Sequence, residues 1–430
     1  MNVAAPRTSR HFFWRAAAVL VAAALAFLFK LYLALATEGT LDVPAFREFV
    51  TNIREVGGVG TYYRLGSTGN PFNHPPFVVH YLTALGWLAD ATKLSFAFWL
   101  RFPCLLADLG SLYLVWKLLA RAPAGRRRLP WLPLVLFALN PVSIIISGFH
   151  GNTDPVMFFF VLLSAYLLET RRDNEVGGGE VGGEVGGGGE VGGGRARVWL
   201  AAVAFGLALN FKVAPLILAP AVWFYLPRLR ERAEFFGVAA AVFLCGSLPY
   251  VLSDPVQIAR NVFGYGSLYG HWGWTRLATA WFPDSLRYAL PPHGVMGAHA
   301  VAASIGKWLM LSLIAAAALW FNRRRDDRPP LAFQLGLAVS IFLFLTPGFG
   351  AQYLSWLAPW VVFLGVRACL VFYLAGGLYL AVEYSCYIYR AAPPVYCVEP
   401  LTAALPFICW VSVFVMLVCY VQLLRRRSPT

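Results

Sequence analysis

Charge is what this chain of 430 residues has least of: 13% of its residues are charged, against 59% apolar, and mean hydropathy is +0.62. A soluble domain carries about 25% charged residues, so a soluble globular fold is excluded. Acidic residues are the scarcer kind, with 21 Asp and Glu against 35 Lys and Arg, which leaves a net charge of +14. In a soluble chain that excess would suggest nucleic acid. In a chain this apolar it is the excess of basic residues expected on cytoplasmic loops. The seven cysteines show no metal-ligand spacing, and most lie inside apolar runs, where they pack as small hydrophobes. Cys386 and Cys397 flank one loop and are placed to form a disulfide if that loop is extracytoplasmic. No metal or cofactor is expected.

What is present is a succession of apolar runs of roughly the ~20 residues a bilayer crossing requires, from Ala16 to Leu424. The sequence therefore predicts an all-α polytopic membrane protein, one transmembrane domain over residues 1–430. It has about twelve crossings and both termini inside. The first run, Ala16–Leu35, exceeds the ~7–15 apolar residues of a cleaved signal and is a retained span. Residues 37–95 form a first outer loop with interfacial helices, one near Pro44–Glu55 and one after His74-Pro75-Pro76. Were the second of these to span, Arg121, Arg126, Arg127 and Arg128 would face outward, against the basic-loop bias. Residues 173–196, repeating Glu-Val and Gly, have too little apolar surface to fold and read as a flexible cytoplasmic linker. Val198–Leu226 lies between arginines and is too short for two full crossings. It implies a broken hairpin with Asn210-Phe211-Lys212 at its tip, a candidate cavity wall. Residues 253–300 form a large outer loop. On this path inner loops hold about twice as many basic residues as outer ones.

Ionisable groups at membrane depth mark function by default, and here they fall toward one face of the bilayer. Asp42 reads as a general base or as the cap of a helix starting at Val43. His74, held extended by Pro75, steadies a phosphate or sugar hydroxyl or is a surface imidazole. Arg101 and Asp108, two turns apart on one helix face, suit a structural ion pair between helices or, for Arg101, a phosphate. Phe149-His150-Gly151-Asn152-Thr153-Asp154-Pro155 is a polar turn ahead of a helix start that suits an anionic or polyhydroxylated ligand. Tyr265, His271 and Trp272 sit in a run of aromatics and glycines suited to stacking on sugars or to an interfacial belt. Gln352 and Tyr353 close another outer turn. Converged, these groups would line one extracytoplasmic cavity.

The order of these features resembles the C-type (GT-C) integral membrane glycosyltransferases: an acidic residue early in the first outer loop (Asp42), a Pro-Pro helix from His74, an Arg-Pro span (Arg101, Pro103) and the polar turn His150 to Pro155. The resemblance implies an inverting, mannosyltransferase-like transfer of a monosaccharide to a lipid, glycan or protein hydroxyl. A polyprenyl-phosphate sugar would be the donor. Asp42 would be the base, with Lys212, Arg101 and His150 holding the donor phosphate. His74, Asn152, Asp154, Tyr265, His271, Trp272, Gln352 and Tyr353 would hold substrate. It places the chain in the cell envelope, in a bacterial inner membrane, with membrane lipids as partners and no nucleic acid. The family often appends a soluble outer domain, and the chain ends at Thr430 without one, which favours a monosaccharide transferase. A secondary transporter and a lipid-linked glycan flippase or polymerase are the alternatives. A transporter of this size predicts two related halves, and no internal repeat is visible.

Overall fold

A computed structural model describes residues 8–65, 71–121, 131–177, 190–264, 267–280, 297–323, 328–388 and 399–425. Among the described residues the regular structure is helical apart from an isolated bridge between Leu65 and Pro71 and an antiparallel pair of two-residue strands, Leu268–Tyr269 and Gly348–Phe349, with Leu268 opposite Phe349. Among the described residues seven helices are long and apolar enough to cross a membrane: Phe13–Ala36, Phe96–Ala120, Trp131–His150, Leu229–Ser253, Val301–Asn322, Val366–Cys386 and Ala404–Arg425. The helices Asp154–Gly177 and Glu190–Phe211, and the shorter apolar segments Ala214–Tyr225, Leu331–Leu345 and Ala351–Leu364, pack among them. These segments are where the sequence placed the remaining crossings.

In chain order α1 is Thr8–Ala36, α2 Asp42–Gly60, α3 Phe77–Thr92 and α4 Phe96–Ala120. The third span is Trp131–Ala138 (α5) and Pro141–Ile145 (α6), closed by a wide π turn over Ile146–His150. Its break at Leu139 has a local cause: Pro141 restarts the helix, and Asn140 Oδ1 accepts from the Ser143 amide at 2.7 Å. α7, Asp154–Gly177, packs against α4 and against α8, Glu190–Phe211. The described ends of the 173–196 segment thus continue these two helices, and 178–189 lies outside the described residues. After α8 the chain breaks at Lys212, makes a 3-10 turn over Ala214–Leu218 and returns as α9, Ala219–Tyr225. That is the broken hairpin, with Pro215 and Pro220 opening its return segments.

α2 and α3 are not among the crossing helices. α2 is amphipathic and buries Val43, Phe46, Phe49 and Val50 against Val78, Val79, Leu82 and Leu85 of α3, while the helix Pro255–Phe263 adds Ile258 and Val262. Their small core also holds Tyr62 and Phe72, and Asn261 ties it by donating to the carbonyls of Tyr62 (2.8 Å) and Phe72 (3.1 Å). A left-handed Lys93 ends α3, and Ser95 caps α4 by accepting from the Phe98 amide. Cys386 is disulfide-bonded, and Cys397 lies outside the described residues.

One side chain fixes how α1, α4 and the third span meet. Arg101 of α4 is fully buried and donates to carbonyls at the ends of two other helices. Its Nη1 reaches Thr37 Oγ1 at 2.8 Å, Gly148 O at 3.2 Å and Phe149 O at 3.3 Å, and Nη2 bonds Thr37 O. Helix C-termini leave carbonyls unpaired and carry partial negative charge, so a buried guanidinium is stabilised between two of them. Arg101→Met is expected to strand these carbonyls at about 1–3 kcal/mol each and lower the thermal midpoint in detergent by several degrees. An unchanged midpoint would show that the clasp is dispensable.

Candidate functional site

The site begins with two turns. The chain leaves α1, turns through Gly39 (φ 95°) and enters α2 at Asp42, and the third span ends at Gly151 (φ 81°) before Asn152-Thr153-Asp154. A Cβ on Gly39 would stand 2.7 Å from Val43 Cγ2 and 2.8 Å from Phe149 O, and one on Gly151 2.5 Å from Val43 Cγ2. Both positions therefore require glycine for shape as well as for space. The turns close on Val43, and Thr40 ties them by donating from its amide (3.3 Å) and hydroxyl (2.8 Å) to His150 O.

This closure sets Asp42 beside His150 and Asn152. Asn152 Nδ2 donates to Asp42 Oδ2 at 2.9 Å, and His150 Nε2 lies 3.2 Å from the same oxygen, near enough for an ion pair but out of line for a hydrogen bond. The Thr40 hydroxyl has one hydrogen and spends it on His150 O, so at 3.0 Å His150 Nδ1 is the donor to Thr40 Oγ1. Tyr384 stacks flat on the imidazole at 5.3 Å. Thr40, His150 and Asp42 have the outline of a nucleophile triad. Thr40, however, is 3% exposed and its proton points at a carbonyl, so it has no route to attack.

A second charge couple lies next to the first. Asp154, the first residue of α7 and fully buried, accepts from Lys212 Nζ at 2.9 Å and from Trp356 Nε1 at 2.8 Å. Its backbone amide donates to Asn152 Oδ1 at 3.3 Å, so the Asn152 side chain joins the two couples. Lys212, at the tip of the broken hairpin, lies 5.0 Å from the Tyr353 ring and 5.6 Å from the Trp356 ring, within cation–π range. His74 is buried between Phe46 and Phe72. One ring nitrogen bonds the Phe211 carbonyl and Nδ1 has no partner among the described residues.

Asp42, His74, His150, Asn152, Asp154, Lys212 and Tyr353 are thus brought together. Arg101 lies just behind them, committed to its carbonyls rather than open to a phosphate, while Asp108 makes an ion pair between helices, with Lys30 of α1 at 2.6 Å. Trp272 is fully buried, stacks on Phe349 at 4.0 Å and donates to Leu343 O, a packing position under the strand pair. His271 is exposed beside it, and the Gln352 amide folds over Gly350. Tyr265 lies outside the described residues. Trp356, Thr40 and Tyr384 escaped sequence reasoning. Trp356 stands three residues after Tyr353, hence on the same helix face, the one signal available for it.

Electrostatics separates holding from catalysis. Burial pushes the Asp42 carboxyl up, but the His150 charge, the Asn152 amide and Lys212 outweigh it and hold it at about 2. A base works best with a pKa near the working pH, so this carboxylate is a poor proton acceptor. Lys212 is balanced by Asp154, which leaves little surplus positive charge for a departing phosphate.

A family model described as GPI transamidase subunit PIG-U matches residues 12–253, more than half of the chain. No curated protein matches it. The match overturns the expected enzyme: this is a transamidase-subunit family and not one of glycosyltransferases, and the mannosyltransferase-like transfer is withdrawn. With it go Asp42 as catalytic base, the polyprenyl-phosphate sugar donor with its acceptors, and the transporter and flippase alternatives. The physical reason agrees, since the carboxylate is held acidic and the two nearest cations are spent on protein acceptors. A multi-pass integral membrane protein stands; a bacterial inner membrane is without support.

Burial, with Lys212 nearby, pulls the His74 imidazole down from 6.5 to about 4, against the weaker pull of Asp154 and Asp42. Its neutral form is the stable one in the fold. The contribution is complete above about pH 6.5 and is lost as pH falls toward 4, on the order of 3 kcal/mol in all. Thermal midpoints at pH 7 and pH 5 should differ more for the native chain than for His74→Phe, which keeps the packing with Phe46 and Phe72. Equal differences would contradict a neutral His74.

Proposed function

The chain belongs to the GPI transamidase subunit PIG-U family, and from that premise we propose that it is a non-catalytic membrane subunit of a GPI transamidase. Its seat is the endoplasmic reticulum membrane and its partners are the other protein subunits. The observation that carries this reading is that the matched residues, 12–253, contain Asp42, His74, His150, Asn152, Asp154 and Lys212.

The cluster's role here is to hold a polyhydroxylated headgroup of the lipid anchor at the lumenal face. Both contacts to Asp42 fall on Oδ2, and the side chain keeps 39% exposure. An ionised carboxylate with an oxygen to spare accepts hydroxyl hydrogen bonds at any physiological pH. Tyr353 and Trp356 are buried rings that hold Lys212 in place beside Asp154.

The test is rescue in eukaryotic cells lacking their own PIG-U subunit, scored by surface display of a GPI-anchored reporter and by co-purification of the remaining subunits. The chain is expected to restore both. Asp42→Ala should lower display about tenfold with co-purification intact. A chain that enters the membrane but recovers neither signal would remove the subunit reading.

A further inference from the structure

Outside this site, one cluster of titratable groups stands at membrane depth. Lys30 of α1 donates to Asp108 Oδ2 and to Ser143 Oγ, each at 2.6 Å, and Ser143 Oγ donates to the same carboxylate oxygen at 2.6 Å. The three line a narrow crevice between α1, α4 and α5–α6, with Ala23, Ala26 and Ala138 among its walls. Asp108 is midway along Phe96–Ala120, about 18 Å from either end at ~1.5 Å per residue, which places it near the middle of a ~30 Å hydrocarbon core.

We propose that this crevice docks a transmembrane helix of a partner protein that presents a hydrogen-bond-donating side chain to Asp108. Three observations converge on that occupant. Lys30 and Ser143 both bond Oδ2; the carboxylate keeps 19% exposure toward the crevice, and Oδ1 has no partner among the described residues. At this depth lipid offers only acyl chains, which donate nothing, so an unspent acceptor is complemented by a polar side chain carried on another helix. The inference rests on the reading of the chain as a subunit of a membrane complex.

The experiment places a photo-crosslinking amino acid at Leu109, on the crevice rim and 37% exposed, and as control at Leu313 on the span Val301–Asn322, 42% exposed. Membranes are irradiated intact and adducts mapped by mass spectrometry. The expected adduct from Leu109 is a peptide within a transmembrane segment of another transamidase subunit. Its yield should fall at least tenfold in the double variant Lys30→Met, Asp108→Leu, an apolar replacement of a buried pair that folds tolerate. Should that variant fail to reach the membrane, Asp108→Asn, near in shape and uncharged, should lower the yield several-fold. Adducts to lipid alone, equal yields from Leu109 and Leu313, or a yield indifferent to Asp108 would overturn the proposal. If the native chain co-purifies with the other subunits in those cases, the crevice fails while the subunit reading stands; if it does not co-purify, both fail.

Discussion

A guanidinium with no water around it must find acceptors in the protein, and in this fold Arg101 finds them at the ends of two neighbouring helices. Burying that charge costs several kcal/mol unless its donors are satisfied, so the carbonyls of Thr37, Gly148 and Phe149 have to converge on it. Their convergence decides the rest. It fixes where α1 ends and where the π turn of the third span ends. The turns through Gly39 and Gly151 follow from those two points, and they bring Asp42 against His150. Lysine has no planar fork of donors and cannot span acceptors on two helices in this way.

Given that frame, the polar site is a closed arrangement of compensating charges. Asp42 faces His150, Asp154 faces Lys212, and Asn152 touches one acid with its amide nitrogen and the other's backbone with its oxygen. Such a network favours one geometry because any member left unpaired is costly in a low-dielectric setting. A reaction requires a group able to change its protonation state or attack. Here the carboxylate is strongly acidic and the threonine hydroxyl is spent, so the arrangement suits recognition.

Much of this was legible in the chain itself, and the limits have physical causes. Basic-loop counting kept α3 out of the membrane, and arginines on both sides of Val198–Leu226 required the broken hairpin. The polar groups from Asp42, His150 to Asp154, Lys212 and Tyr353 met as their shared side implied. Arg101 was misassigned because its partners are main-chain carbonyls, which leave no trace in side-chain spacing. An ion pair between helices was legible at Asp108, but its partner Lys30 stands 78 positions away, where spacing along one helix cannot name it. The activity was misread because helix caps, neutral imidazoles and paired acids are the same residue types that a transferase would use. Only their mutual distances and the family match distinguish the two uses.

The contact between Asp154 and Trp356 spans 202 positions, and this has a consequence for how the protein is made. At roughly 5–20 residues per second of synthesis, α7 enters the bilayer on the order of 10–40 seconds before the indole that completes its carboxylate has been translated. During that interval a newly inserted bundle carries an acid whose final neighbour does not yet exist. Lys212, only 58 positions downstream, is the partner that emerges first, so the acid's ion pair can form before the late helices supply its last hydrogen bond.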